Sequence, residues 1–305
     1  MQEIEYQGTR IHRWNCGSST YLACPEKGAR LMNWHLNMAD ESIRDVIYWP
    51  EDASLNSIEK VRGGNPILFP FCARTFDRGT IHKWRSKDGE TRDMPMHGFA
   101  RDHSFAIQNI DEYGFTAQLI QTPEMMDCYP FQYDFTVQYR FYEFSMSVAL
   151  KLENLGEIPI PWSAGHHFYF NLPWDGSARE DYHLTVPTSK GYKQGTDGAM
   201  EAVEEMDSPI SFGDQRILER IYTHMKGDTV KFGPKSGEDG IQIKFLSPIT
   251  ENSMDTIVTW TEEEKSPFYC IEPWMSPPNS TESEIGPSYV EPGKAQDFSI
   301  EVSLI

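Results

Sequence analysis

Cysteine is scarce and poorly placed for a structural role. The five in this 305-residue chain (Cys16, Cys24, Cys72, Cys128 and Cys270) are odd in number, widely spaced and include no C-x-x-C pair. That pattern argues against a disulfide framework or a zinc ribbon. Basic side chains are also few, 27 against 46 acidic ones, leaving a net charge of −19. A field of that sign repels nucleic-acid phosphates and anionic lipid, so neither is expected as a partner. A site for an anionic ligand would have to gather its arginines locally. No apolar run is long enough to span a bilayer, and the opening MQEIEYQGTR lacks the apolar core of a secretion signal, so a cytoplasmic protein is expected. The sequon Asn279-Ser280-Thr281 carries little weight without such a signal. Helical periodicity is missing too: no amphipathic pattern runs beyond about three turns.

What remains is alternation with period two. STYLACPEKG and ARLMNWHLNM read as a hairpin about Lys27-Gly28, and SFAIQNI and FTAQLIQ as a hairpin about DEYG. In FTVQYRF, Phe135, Val137, Tyr139 and Phe141 share one face. Phe144, Met146, Val148, Leu150 and Leu152 repeat the pattern after a turn near Tyr142-Glu143. HLTVP, DTVKFG, GIQIKFL, TIVTW, PFYCIE and DFSIEVSLI are further strands. With no linker, composition shift or repeat, and with Gly191 to Gln215 read as a long polar excursion, the chain is expected to be a single all-β domain, residues 1–305, built as a sandwich or barrel.

Four segments interrupt the strands by setting titratable groups among aromatics, prolines and glycines. They are VRGGNPILFPFCAR (61–74), DMPMHGFARD (93–102), WSAGHHFYFNLPW (162–174) and CIEPWMSPPNS (270–280). Such surroundings shift imidazole and carboxylate pKa values by disfavouring the charged forms. Each has a plainer reading. A lone histidine beside apolar residues is commonly a hydrogen-bonded core residue, Glu272 could cap a strand end, and Gly63-Gly64 could be a simple turn. Neighbouring strand residues face opposite ways, so His166 and His167 are not expected to share a metal, and no metal or other cofactor is expected.

In this order the four segments resemble the aldose 1-epimerase (galactose mutarotase) family, through GGNPILFPFCAR, HGFAR, AGHHFYFNL and CIEPW, over the chain from about Ala29 onward. The resemblance implies a large antiparallel β-sandwich whose concave face binds a sugar. It also implies cofactor-independent exchange of the α and β anomers of an aldose by acid/base ring opening. Carried over by position, Glu272 is the base at the C1 hydroxyl and His167 the acid at the ring oxygen. His97 contacts hydroxyls near the reacting end, Arg74 helps to hold the sugar, and His166 faces away. Gly98 would let the backbone approach the ligand. Trp274 would stack on the sugar or else belong to the core. Glu219, ahead of Tyr222, stands where the family has an aspartate. Arg62 precedes the Gly-Gly pair as in the hexose-6-phosphate branch, and with Arg74 and Arg101 it could form a phosphate pocket. The plainer reading gives Arg62 and Arg101 structural salt bridges. The expected partner is therefore a small sugar, with or without a phosphate, and the chain is expected to be a monomer or homodimer. Two rivals stay open: a non-catalytic sugar-binding sandwich, and a glycoside hydrolase, which needs two carboxylates about the bond.

Overall fold

The computed structural model of the chain describes residues 1–237, 239–247, 254–283 and 286–305. Among these, thirteen strands join in one sheet and nine in a second. The expected hairpins are present. Ser19–Cys24 pairs antiparallel with Arg30–Asn37, Phe105–Asp111 with Gly114–Leu119, and Tyr133–Phe141 with Ser145–Asn154. The last strand, Ala295–Leu304, lies between Ser145–Asn154 and Ile241–Phe245 in the nine-stranded sheet. In Tyr133–Phe141 every second side chain is buried, as the alternation required. A single six-residue α-helix, Pro123–Cys128, occurs among the described residues, with the Thr122 side chain accepting from the Met125 amide. No helix among them is long and apolar enough to cross a membrane.

Two hairpins lie where the sequence alternation gave no strands. Gln2–Tyr6 pairs with Thr9–Cys16, and the polar excursion contains Gly191–Gln194 and Met200–Val203, paired with each other. Both hairpins sit at the edges of the thirteen-stranded sheet.

The side chains that locate the site are sorted by one strand, Phe268–Trp274, which is buried on both faces. Tyr269 and Ile271 point into the main core with Phe168, Phe170, Ile257 and Tyr222, against the nine-stranded sheet. Phe268, Cys270, Glu272 and Trp274 take the other face. There Phe268 and Cys270 cluster with Tyr169, and Trp274 with Leu68, Cys72, Ile221 and Val258. The larger sheet thus gives one face to the core and turns the other toward a cavity.

Candidate active site

The four interrupted segments, distant in sequence, are joined directly. Gly165 pairs with both Leu68 and Trp274, and His166 with Ile67. Parallel bridges link Phe69 to Gly98 and Phe71 to Ser163. Glycine is required at two of these junctions. A Cβ on Gly165 would lie 2.5 Å from Trp274 Cδ1 and 2.9 Å from Cys72 Sγ. One on Gly98, whose φ is +71°, would lie 1.9 Å from the Phe69 carbonyl oxygen. Gly98 therefore serves a backbone-to-backbone approach, not the approach to a ligand inferred from sequence. The segment 93–102 is a bend with two destinations: Met94 and Phe99 anchor it in the core, while Met96, His97 and Arg101 line the cavity.

That cavity measures about 1280 Å³, larger than the roughly 300–1,000 Å³ typical of small-molecule sites. His97, His167, Glu272, Arg62, Arg74, Arg101, Glu219 and Trp274 all line it, so every site residue expected from the sequence is brought to one place. Acidic and basic groups are nearly balanced in its wall, unlike the chain as a whole.

At its base, His167 Nε2 lies 3.5 Å from Glu272 Oε1, and Glu272 Oε2 and His167 Nδ1 are buried with no hydrogen-bond partner among the described residues. Tyr169 stacks on the His167 ring at 4.8 Å, and Trp260 meets it edge-on at 5.9 Å. The dry setting acts on both groups. Burial pushes the Glu272 carboxyl well above its ordinary 4.5, against a weaker pull downward from the Trp274 indole. Burial pushes the His167 imidazole down to about 3, helped by the Arg101 charge. The pair consequently carries one proton over a broad range, held on the carboxyl in the free protein.

His97 Nδ1 accepts the Ala73 backbone N–H at 3.1 Å. Burial and the neighbouring His167, Arg101 and Arg74 hold its pKa well below 6.5. The neutral ring therefore carries its proton on Nε2 and is a fixed hydrogen-bond donor. Its centroid is 5.4 Å from that of His167.

His166 does face away. Its ring stacks between Phe168 and Phe298, and its Nδ1 meets Asn65 Nδ2 at 3.1 Å. Asn65 is the residue that sequence reasoning passed over within its own motif. Its Nδ2 also donates to the Tyr139 hydroxyl at 2.7 Å, and its Oδ1 accepts the His167 backbone N–H at 3.0 Å. One buried amide thus fixes both histidines. Asn65→Leu should cost about 2–4 kcal/mol through the stranded partners and lower the melting temperature in calorimetry. Arg30, also missed, is wholly buried under the cavity, bonded to the carbonyls of Gly63 and Ile58, with burial pushing its pKa down to about 10.

The arginines divide. Arg62 is ion-paired with Glu262 and lies over Trp260, so the structural-bridge reading describes it even though it lines the cavity. Arg101 makes no ion pair among the described residues, and its Nε is buried without a partner, so the same reading fails for it. Arg74 is exposed at the wall. Glu219 is exposed there with φ +55°. Trp274 is 3% exposed, a core residue with one edge on the cavity.

The sequence model of the family described as aldose 1-epimerase matches residues 13–303. The chain belongs to the aldose 1-epimerase family. The chromosomal protein LacX of Lactococcus lactis subsp. lactis is 24% identical over 247 residues, 72% of this chain and 76% of LacX. Among solved structures, a galactose mutarotase-like protein from Clostridium acetobutylicum superposes with TM-score 0.80 at 16% identity, covering 100% of this chain and 98% of that one. The galactose 1-epimerase of Lactobacillus acidophilus gives 0.70 at 14% identity, covering 100% and 98%. These likenesses establish the galactose mutarotase-like, all-β antiparallel fold for this epimerase-family chain.

Proposed function

We propose that the protein is a cofactor-independent mutarotase that exchanges the anomers of a hexose through the Glu272–His167 pair. The observation carrying this reading is a carboxyl group and an imidazole 3.5 Å apart on one dry cavity floor. Ring opening takes a proton from the C1 hydroxyl and delivers one to the ring oxygen; closure reverses both on the other face. A pair holding one proton does this without net uptake: in the complex that proton passes from Glu272 to His167, Glu272 then accepts from the C1 hydroxyl as His167 donates to the ring oxygen, and the closing step reverses both transfers. His97 would donate to a sugar oxygen beside the reacting end, and Arg74 and Arg101 would hold hydroxyls further out. The group that Glu272 meets is an imidazole and not a second carboxylate, which favours this over glycoside hydrolysis, where two carboxylates flank the bond.

A phosphorylated hexose is the second reading. It is supported by Arg101, which lines the cavity without an acidic partner among the described residues, and weakened by Arg62, which is committed to Glu262. Magnetisation-transfer NMR on several aldoses and their 6-phosphates separates the two. Exchange at the rate of buffer alone for every sugar would leave the non-catalytic sugar-binding reading.

The pH dependence follows from the pair. Exchange requires the singly protonated state, which persists from the depressed histidine value, about 3, up to the raised carboxyl value. kcat/KM should be flat where an ordinary glutamate titrates and decline only at higher pH, as the last proton leaves. A sigmoidal rise centred near 4.5 would contradict this.

A further inference from the structure

The face of Phe268–Trp274 that carries Glu272 also carries Cys270, two residues earlier, and the cross-strand neighbours complete a donor set. We infer that His167, Cys270 and Glu272 form a binding site for a zinc-like divalent cation, and that the bound cation blocks the sugar site.

The ligand atoms of the three residues all lie within 4.8 Å of one another, and all three side chains are buried. Donors about one tetrahedral zinc, with bonds of about 2.0–2.3 Å, sit about 3.5 Å apart. The His167–Glu272 distance is already 3.5 Å, so closing the set requires only a small inward movement of the thiol. The register makes the arrangement stable: Phe168 pairs with Ile271 and Tyr169 with Cys270, placing His167 beside Glu272 and diagonal to Cys270 on the same face. One donor atom is left for a ligand that the protein itself does not supply: Glu272 Oε2 is buried with no hydrogen-bond partner among the described residues.

A thiolate, an imidazole and a carboxylate suit zinc and its spectroscopic substitute cobalt(II), and not magnesium or calcium, which take oxygen donors. Three protein ligands leave a fourth position, which here opens to the cavity through His167 and Glu272. His97 stays outside the set, because its Nδ1 is occupied by the Ala73 N–H. A cation held this way ties up both members of the proton-transfer pair. Its effect on catalysis is inhibition, and that part rests on the mutarotase reading; the binding itself does not.

The test is titration of the full-length, metal-free protein with cobalt(II) and then zinc, without sugar. One equivalent of cobalt should give tetrahedral visible bands and a near-ultraviolet thiolate-to-cobalt band, both bleached by zinc. Cys270→Ser should remove the thiolate band and weaken zinc binding by at least tenfold, whereas Cys72→Ser should leave both intact. X-ray absorption on the wild-type zinc form needs no variant and should show one sulfur near 2.3 Å among nitrogen and oxygen ligands. Absence of the thiolate band, its survival in Cys270→Ser, or a zinc shell without sulfur would overturn the site. Zinc should also abolish anomer exchange, with recovery on chelation. If the metal-free protein exchanges no anomers, the mutarotase reading falls while the cobalt result stands.

Discussion

Glu272→Gln is expected to slow anomer exchange by about 10³–10⁴-fold while making the fold more stable. General acid/base groups contribute roughly 10²–10⁴-fold each, and losing the carboxylate disables its partner as well, so the effect belongs at the upper end. Glutamine keeps the shape of the side chain, so KM should change little. The stability gain comes from linkage. The folded carboxyl has its pKa raised by burial, whereas the unfolded one titrates near 4.5. The native state therefore holds its proton more tightly, and stability is lost as pH rises from the unfolded value through the folded one. Glutamine has no such cost, so the melting temperature of the variant should exceed that of wild type near neutral pH and match it in acid. Active sites commonly retain groups that are unfavourable for folding. A variant that loses activity and stability together at neutral pH would mean that Glu272 is a structural group.

Gly98→Ala is expected to have the largest effect on stability, about 4 kcal/mol or more. The added Cβ would sit 1.9 Å from the Phe69 carbonyl oxygen, at a φ of +71° that alanine disfavours. Relief cannot come from a flexible side chain, because the obstacle is backbone. Phe69 O also accepts the Phe99 N–H at 2.9 Å, so moving it breaks the junction between two of the site's segments. His97, immediately before, is itself at φ +67° and would be carried out of position. Calorimetry measures the first consequence and the exchange rate the second. Wild-type values for both would show that the bend tolerates a different path.

What the sequence revealed and what it hid have physical causes. The strands facing the core on one side and solvent on the other were legible, because burial of one face imposes the alternation seen in Tyr133–Phe141. The edge hairpins were not. Gln2–Tyr6 and Met200–Val203 bury no side chain fully, so nothing forces a pattern on them. The histidines and Glu272 stood out because charge among aromatics is costly and therefore informative. Asn65 and Arg30 did not, since their value lies in partners reached across the fold: Tyr139, His166 and the carbonyls of Gly63 and Ile58. Cys270 was visible in CIEPW, and strand alternation alone places it beside Glu272. It was passed over because a cysteine without a neighbouring cysteine suggested no ligand set.

The central claim is that one carboxylate and one imidazole serve the same hemiacetal carbon. A crystal structure with a bound aldopyranose tests it most directly. The account predicts the C1 hydroxyl within hydrogen-bonding distance of Glu272 and the ring oxygen within hydrogen-bonding distance of His167, with His97 on a neighbouring hydroxyl. A sugar bound in the same cavity with its ring oxygen directed to the Arg62–Glu262 side, out of reach of His167, would contradict it.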